Sequence, residues 1–227
     1  AGLEHLAARE RPSGLVPVFH PWETGCDDSP RWDAWSGSPW DRQGWYEVKG
    51  ELVESLEFGD TGRGGTGGPV ANSAFHPGSV VMTALVAFNQ AELDEATGDT
   101  SVGAMDRAAG LGTQLSPWWD DEATTWFDAP GGAPPLRAPS GKVRTLEALT
   151  GLLAPTLVER PHRVDAAFDQ ILDREAFGGP FGPAQVHRAE PAFDPDRYFV
   201  GRSGPNSHTC CGWRLAATDA STSPVAW

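Results

Sequence analysis

An all-α fold is predicted by three features of this 227-residue chain: apolar residues recurring at helical spacing, few alternating apolar–polar runs, and long intervening stretches loaded with Gly, Pro and Trp. The periodicity is clearest in SVVMTALVAFNQAELDEATGD, where Val81, Leu85 and Phe88 recur at i, i+4 and i+7 with Ala84 and Ala91 on the same side. Gly98 supplies its stop. Further helices are expected at about 3–11, 101–115, 143–153 and 163–175, the last carrying Val164, Phe168, Ile171 and Leu172. The segments 12–50, 58–78, 116–142 and 177–205 read as loops. Loops longer than ~12–15 residues are usually functional or disordered, so the pattern is one of helical hairpins whose connections build a single site.

Composition narrows the function. With 39% hydrophobic residues the chain can bury one sizeable core. Asp and Glu outnumber Lys and Arg by 31 to 17, a net charge of -14, which repels nucleic acid and anionic membrane surfaces. Neither partner is expected. No apolar run approaches the ~20 residues that span a bilayer. Three cysteines, Cys26, Cys210 and Cys211, are too few and odd in number for a secreted disulfide framework, and a reducing, cytoplasmic compartment is expected. The opening AGLEHLAARER has no initiator methionine and no signal-peptide layout, and reads as the middle or end of a helix in a longer parent.

Chemistry concentrates in FHPWETGCDDSPRWD, Phe19 to Asp33. Trp22, Trp32, Trp35, Trp40 and Trp45 fall in or just after it, and serve either as core side chains or as flat apolar platforms for sugar rings. Glu23, Asp27, Asp28 and Asp33 are candidates for acid–base work, whereas Glu47, Glu51 and Glu54 belong to a following solvated face. Glycoside hydrolysis needs a protonated carboxyl at the leaving oxygen and a second carboxylate to activate water or attack carbon. Asp27 suits the first role: it follows the turn-permitting Gly25 and sits between aromatics, where burial raises a carboxyl's pKa. Asp28, Arg31 and Asp33 are expected to brace the turn by hydrogen bonds and ion pairs. Two weaker patterns carry no function. GRGGTG at 62–67 matches a nucleotide fingerprint formally but lacks its strand and helix, and 58–68 reads instead as a flexible flap with Arg63 its one positive charge. His208, Cys210 and Cys211 fit no closed four-ligand metal spacing.

HPWETGCDDSPRWD closely resembles the H-P-W-E-[ST]-G-x-D-x-S-P-R-[WF]-D segment of the mannosylglycerate and glucosylglycerate hydrolases, in or near glycoside hydrolase family 63. WWDDEATTWFD (118–128), VRTLEALTGLLAP (143–155) and FGGPFGPAQVHRAEPAFDPDRY (177–198) resemble later family segments in the same order. The resemblance implies an (α/α)6 barrel, incomplete here with about half of its helices, that cleaves α-glycosidic bonds with inversion. It implies Asp27 as general acid, His20, Trp22, Glu23 and Arg31 as site-lining or turn-fixing residues, a small carbohydrate substrate, no cofactor, and a base glutamate outside this chain. Arg63 is the candidate partner for a glycerate carboxylate. A trehalase-like or glucoamylase-like hydrolase on the same barrel, a non-catalytic carbohydrate-binding protein and an inactive fragment are the alternatives.

After Tyr198 the expected Arg-Gly-Pro-x-Trp-Pro loop is replaced by YFVGRSGPNSHTCCGWRLAATDA. Reading Phe199 to Ala216 one base back, with permitted synonymous codons, restores Arg-Gly-Pro-Val-Trp-Pro and an apolar helix. The domain is therefore expected to span 1–198, with 199–227 a frameshifted or disordered tail. The coding nucleotide sequence tests this: it should encode the motif in the alternative frame, and a codon string that cannot do so refutes the frameshift.

Overall fold

A computed structural model of the chain describes residues 2–36, 42–60, 66–98, 102–132, 142–154, 160–180 and 182–196. It is helix-rich, with α1 (Gly2–Ala7), α2 (Asp33–Ser36), α3 (Arg42–Glu54), α4 (Val80–Thr97), α5 (Val102–Gln114) and α6 (Pro161–Leu172). The helix-rich character expected of the chain is present, with small sheets added to it. Two small antiparallel hairpins are present, β1 (Leu56–Asp60) with β2 (Thr66–Asn72), and β3 (Trp119–Asp120) with β4 (Thr125–Trp126).

Helix α4 is the axis of the packing. The Ser79 side chain accepts a hydrogen bond from the Met82 N–H at its start, and Gly98, in the left-handed region at φ 66, closes it with hydrogen bonds to the carbonyls of Asp94 and Glu95. Its apolar surface extends beyond one stripe. Val80 and Ala84, with Leu85 and Phe88 partly buried beside them, join a cluster built on Leu15, Leu115, Trp126, Leu146 and Leu149. Val86 and Ala87 face another cluster with Val16 and Leu111. A third cluster, Val18, Trp32, Trp35, Trp45, Leu52 and Phe75, lies under the Phe19–Asp33 loop.

The departures from expectation have local causes. Helix α3 begins inside the segment 12–50 read as loop and runs past it, because its inward positions are Trp45, Lys49 and Leu52, and a lysine at a core position erases the apolar period. Glu47, Glu51 and Glu54 on its other face are exposed, as expected. Strands β1 and β2 overlap the two ends of the proposed flap at 58–68, whose residues 61–65 lie outside the described residues; the sequences LEFGD and TGGPVAN carry little strand propensity, and the ladder is irregular around Phe58. The helix expected at 143–153 is instead an extended segment, bridged at Thr145 to Val186, that runs into a 3-10 helix at Ala148–Leu153 whose six residues are all buried. Gly151 allows that tight packing: a Cβ there would lie 2.7 Å from the Trp126 indole. Helix α6 starts at Pro161, a residue preorganised for a first turn, and ends at Leu172, ahead of the expected 175.

Gly78 ties the loop region together, bridging Pro17 on one side and Ala129 on the other. A Cβ at Gly78 would lie 2.3 Å from Ser13 Oγ and 2.9 Å from Leu15 Cβ. Gly78→Ala should therefore destabilise the chain by about 1–3 kcal/mol in denaturant unfolding; an unchanged midpoint would contradict this packing.

Candidate active site

The Phe19–Asp33 loop is built from two single-turn 3-10 helices, Pro21–Thr24 and Pro30–Trp32, joined through Gly25. Gly25 has φ 68, a left-handed conformation that favours glycine, and its N–H closes the first turn on the Trp22 carbonyl. The Thr24 hydroxyl donates to the Pro21 carbonyl at 2.8 Å and accepts from the Cys26 N–H at 3.2 Å. The chain then emerges with Asp27 and Asp28 adjacent.

His20 and Glu23 are occupied within the scaffold. His20 Nε2 lies 2.9 Å from the Lys49 carbonyl, and Nδ1 accepts the Trp22 N–H at 3.2 Å, so the ring carries its proton on Nε2. Burial lowers its pKa, which favours that neutral form. Glu23 makes a bidentate pair with Arg9, at 2.6 and 3.1 Å, and also accepts the Phe19 N–H at 2.6 Å. Trp22 is different: it is 54% exposed, with its ring 4.3 Å from that of His20. Trp32, Trp35 and Trp45 are buried, with Trp32 donating to the Cys26 carbonyl and Trp45 to the Asp27 carbonyl, both at 2.9 Å. The indoles of the core thus hold the loop's backbone, and Trp22 offers a face to solvent. Trp40 and Arg63 lie outside the described residues.

The carboxylates at 27 and 28 converge on one cation. Lys49 Nζ, on α3, lies 2.7 Å from Asp27 Oδ2 and 2.9 Å from Asp28 Oδ1, and its side chain has no solvent exposure. The Tyr46 ring centroid is 4.2 Å from the same nitrogen. Burial would lower the Lys49 pKa, but the hydrogen bonds to Asp27 and Asp28 override it and raise the ammonium. Among the described residues Asp27 Oδ1 accepts no hydrogen bond, and the side chain retains 24% exposure.

Arg31 was expected to brace its own turn, but its partners come from elsewhere. Its Nη1 lies 3.1 Å from Asp128 Oδ2 and its Nε 2.9 Å from Glu147 Oε2, while the guanidinium stacks 4.2 Å from the Trp32 ring centroid. Asp128 Oδ1 accepts the Val80 N–H at 2.7 Å, at the positive end of α4. Glu147 also accepts from the Gln185 amide. Burial pushes Glu147 up, with Arg31 and Gln185 pulling against it. The Cys26 thiol beside this group is pushed up by burial and by Glu147, which keeps it protonated and unreactive. Burial likewise raises Asp33, to about 7.

Lys49, Asp128, Glu147 and Gln185 did not enter the sequence-derived site. The last three lie in the WFD, TLEALTG and GPAQVHR stretches that carried the resemblance, which is a signal; Lys49 has none. A cavity of about 620 Å³ lies away from Asp27, between α1 and the β1–β2 hairpin, lined by His5, Arg9, Phe19, Glu57, Asn72 and His76 among others. No cluster of three or more His, Cys, Asp or Glu side chains is placed to hold a metal, and no helix is long and apolar enough to cross a membrane, among the described residues.

Residues 3–221 match the model of a family described as the mannosylglycerate hydrolase MGH1-like glycoside hydrolase domain. The matched span runs past Tyr198. No curated protein matches the chain. Similar solved structures include an uncharacterised conserved protein from Thermus thermophilus, with TM-score 0.65, 21% identity, and coverage of 90% of this chain and 51% of that one. A GH63 mannosylglycerate hydrolase from the same organism in complex with glucose gives 0.63 and 21%, with 92% and 51% covered. The same enzyme with Tris and D-glycerate gives 0.60 and 19%, with 92% and 55% covered. The chain therefore spans about half the length of the structures it resembles.

Arg31→Met should destabilise the fold by about 3–5 kcal/mol, because it leaves Asp128 and Glu147 in the interior without their cation. Thermal unfolding checks this, and a loss under about 1 kcal/mol, the range of an exposed pair, would contradict a buried one.

Proposed function

Because the chain belongs to the mannosylglycerate hydrolase MGH1-like glycoside hydrolase domain family, we propose that it forms part of an inverting α-glycosidase whose general acid is Asp27. The substrate is a small α-glycoside of the glucosylglycerate or mannosylglycerate type, and the scaffold is an (α/α)6 barrel to which this chain contributes about half. The observation that carries the reading is the presentation of Asp27: a carboxyl on a glycine turn, with Oδ1 accepting no hydrogen bond among the described residues, in the same loop as the exposed Trp22. Complexes of the similar Thermus enzyme with glucose and with D-glycerate support the two halves of the substrate.

The chemistry follows from what an acetal needs. Protonated Asp27 gives its proton to the glycosidic oxygen as the bond from that oxygen to the anomeric carbon breaks. Positive charge develops on the sugar ring, and water attacks the anomeric carbon from the opposite face, losing a proton to a carboxylate base. The products are the alcohol and a sugar of inverted anomeric configuration. Two carboxyl groups about 6.5–9.5 Å apart leave room for that water; the second belongs to sequence outside this chain. Trp22 supplies a flat apolar face for the sugar's C–H groups, and Arg63 is the proposed cation for a glycerate carboxylate. His20, Glu23 and Arg31 act by fixing the loop that carries Asp27 and Trp22.

In the full-length protein containing this chain, Asp27→Asn should lower kcat for an α-glycoside by about 10²–10⁴-fold, the usual contribution of a positioned acid. Turnover within about threefold of the parent would overturn the assignment.

A further inference from the structure

We propose that Lys49 is the positioning residue of the acid, fixing Asp27 through Oδ2 so that Oδ1 faces the glycosidic oxygen, and that Asp28 tunes it by sharing the same ammonium. This inference rests on the assignment of Asp27 above. It concerns a residue with no counterpart in the H-P-W-E motif and no signal in the sequence pattern.

Geometry supplies the first support. A carboxyl on an exposed loop has free rotation about its last bond, and either oxygen could carry the proton. Here Nζ sits 2.7 Å from Oδ2 and does not engage Oδ1. A proton on Oδ2 would point at an ammonium, so the neutral acid carries its proton on Oδ1, the oxygen left for substrate. Lys49 is itself immobilised. It has no exposure, its backbone carbonyl receives the His20 Nε2–H at 2.9 Å, and its ammonium lies against Tyr46. The Asp27 carbonyl is pinned separately by Trp45 Nε1, from the same helix. Helix α3 thus grips Asp27 at both its backbone and its carboxyl.

Electrostatics supplies the second. A cation beside a carboxyl favours its charged form, and a second carboxylate on the same cation weakens that effect. Asp28 Oδ1 occupies the same ammonium at 2.9 Å and adds a negative charge beside Asp27. When Asp27 releases its proton to the leaving oxygen, the new carboxylate is met by a cation already in place, which requires no reorganisation. Among the described residues, other ionisable groups near this pair include Tyr46 on α3, whose ring lies against Lys49, His20, held in its neutral tautomer, and the protonated Cys26 thiol.

The test is the pH profile of kcat for an α-glycoside in the full-length protein, whose alkaline limb reports loss of the proton from the acid in the bound complex. Asp28→Asn should move that limb to lower pH, because Asp27 then has the ammonium to itself and loses a neighbouring anion. Lys49→Met should move it to higher pH by about one unit, and lower kcat by about 10²-fold with KM within about threefold, the pattern of a misplaced acid. Lys49→Arg should return the limb to within about half a unit of the parent and recover part of kcat. Should the methionine variant fail to fold, Asp28→Asn still decides the matter, because a limb that stays at the parent's position in that variant overturns the sharing of the ammonium. Limbs that coincide with the parent in the Asn and Met variants, or kcat and KM falling in step, would overturn the role of Lys49. If Asp27→Asn retains activity, the assignment of the acid fails instead, so the two failures are distinguishable.

Discussion

A guanidinium sealed from water must be paired, and Arg31 is paired to two segments far from it in sequence, at Asp128 and Glu147. That constraint fixes where the Phe19–Asp33 loop sits. Asp128 receives the first backbone N–H of α4, and Glu147 immediately precedes the buried 3-10 helix that packs on Trp126. The loop is thus attached to the helix at the centre of the fold, and to the layer beneath it, by one side chain. Desolvating these charges costs several kcal/mol per ion, so the group is better understood as specifying position than as adding stability.

The second ionic group sits just before Arg31 in the same loop and is only partly closed. Lys49 is buried, whereas Asp27 and Asp28 keep 24% and 17% of their side-chain surface. Arg31 and its partners hold the loop to the scaffold, while Lys49 holds two carboxylates at the surface of it. Fixed charge under a partly exposed carboxyl is the arrangement a proton-transfer site requires, because the field is set before the substrate arrives. His20 and Glu23 complete the frame through Lys49's carbonyl and Arg9.

Much of the fold was legible where apolar periodicity was unbroken, as in α4, with its stop at Gly98, and in α6 apart from its last residues. It failed where charge occupied an inward position. Lys49 hid α3, and Gly and Pro hid β1–β2. Segment 143–153 looked helical because it is rich in Leu, yet Thr145 pairs with Val186, and total burial beside Trp126 compresses Ala148–Leu153 into a 3-10 helix. For the site, the motif located the loop and its glycine turn. It could not reveal that Trp32, Trp35 and Trp45 face inward while Trp22 does not, nor that Arg31 pairs with residues as distant in the chain as Asp128 and Glu147, since tertiary partners leave no local pattern.

The central claim is that the sugar binds over Trp22 with its glycosidic oxygen at Asp27 Oδ1. The most direct measurement is a crystal structure of the full-length protein with an unhydrolysable α-glycoside. Asp27 Oδ1 should lie about 2.6–3.2 Å from the bridging atom, with Oδ2 still on Lys49. A ligand seated instead in the cavity between α1 and the β1–β2 hairpin, away from Asp27, would contradict it.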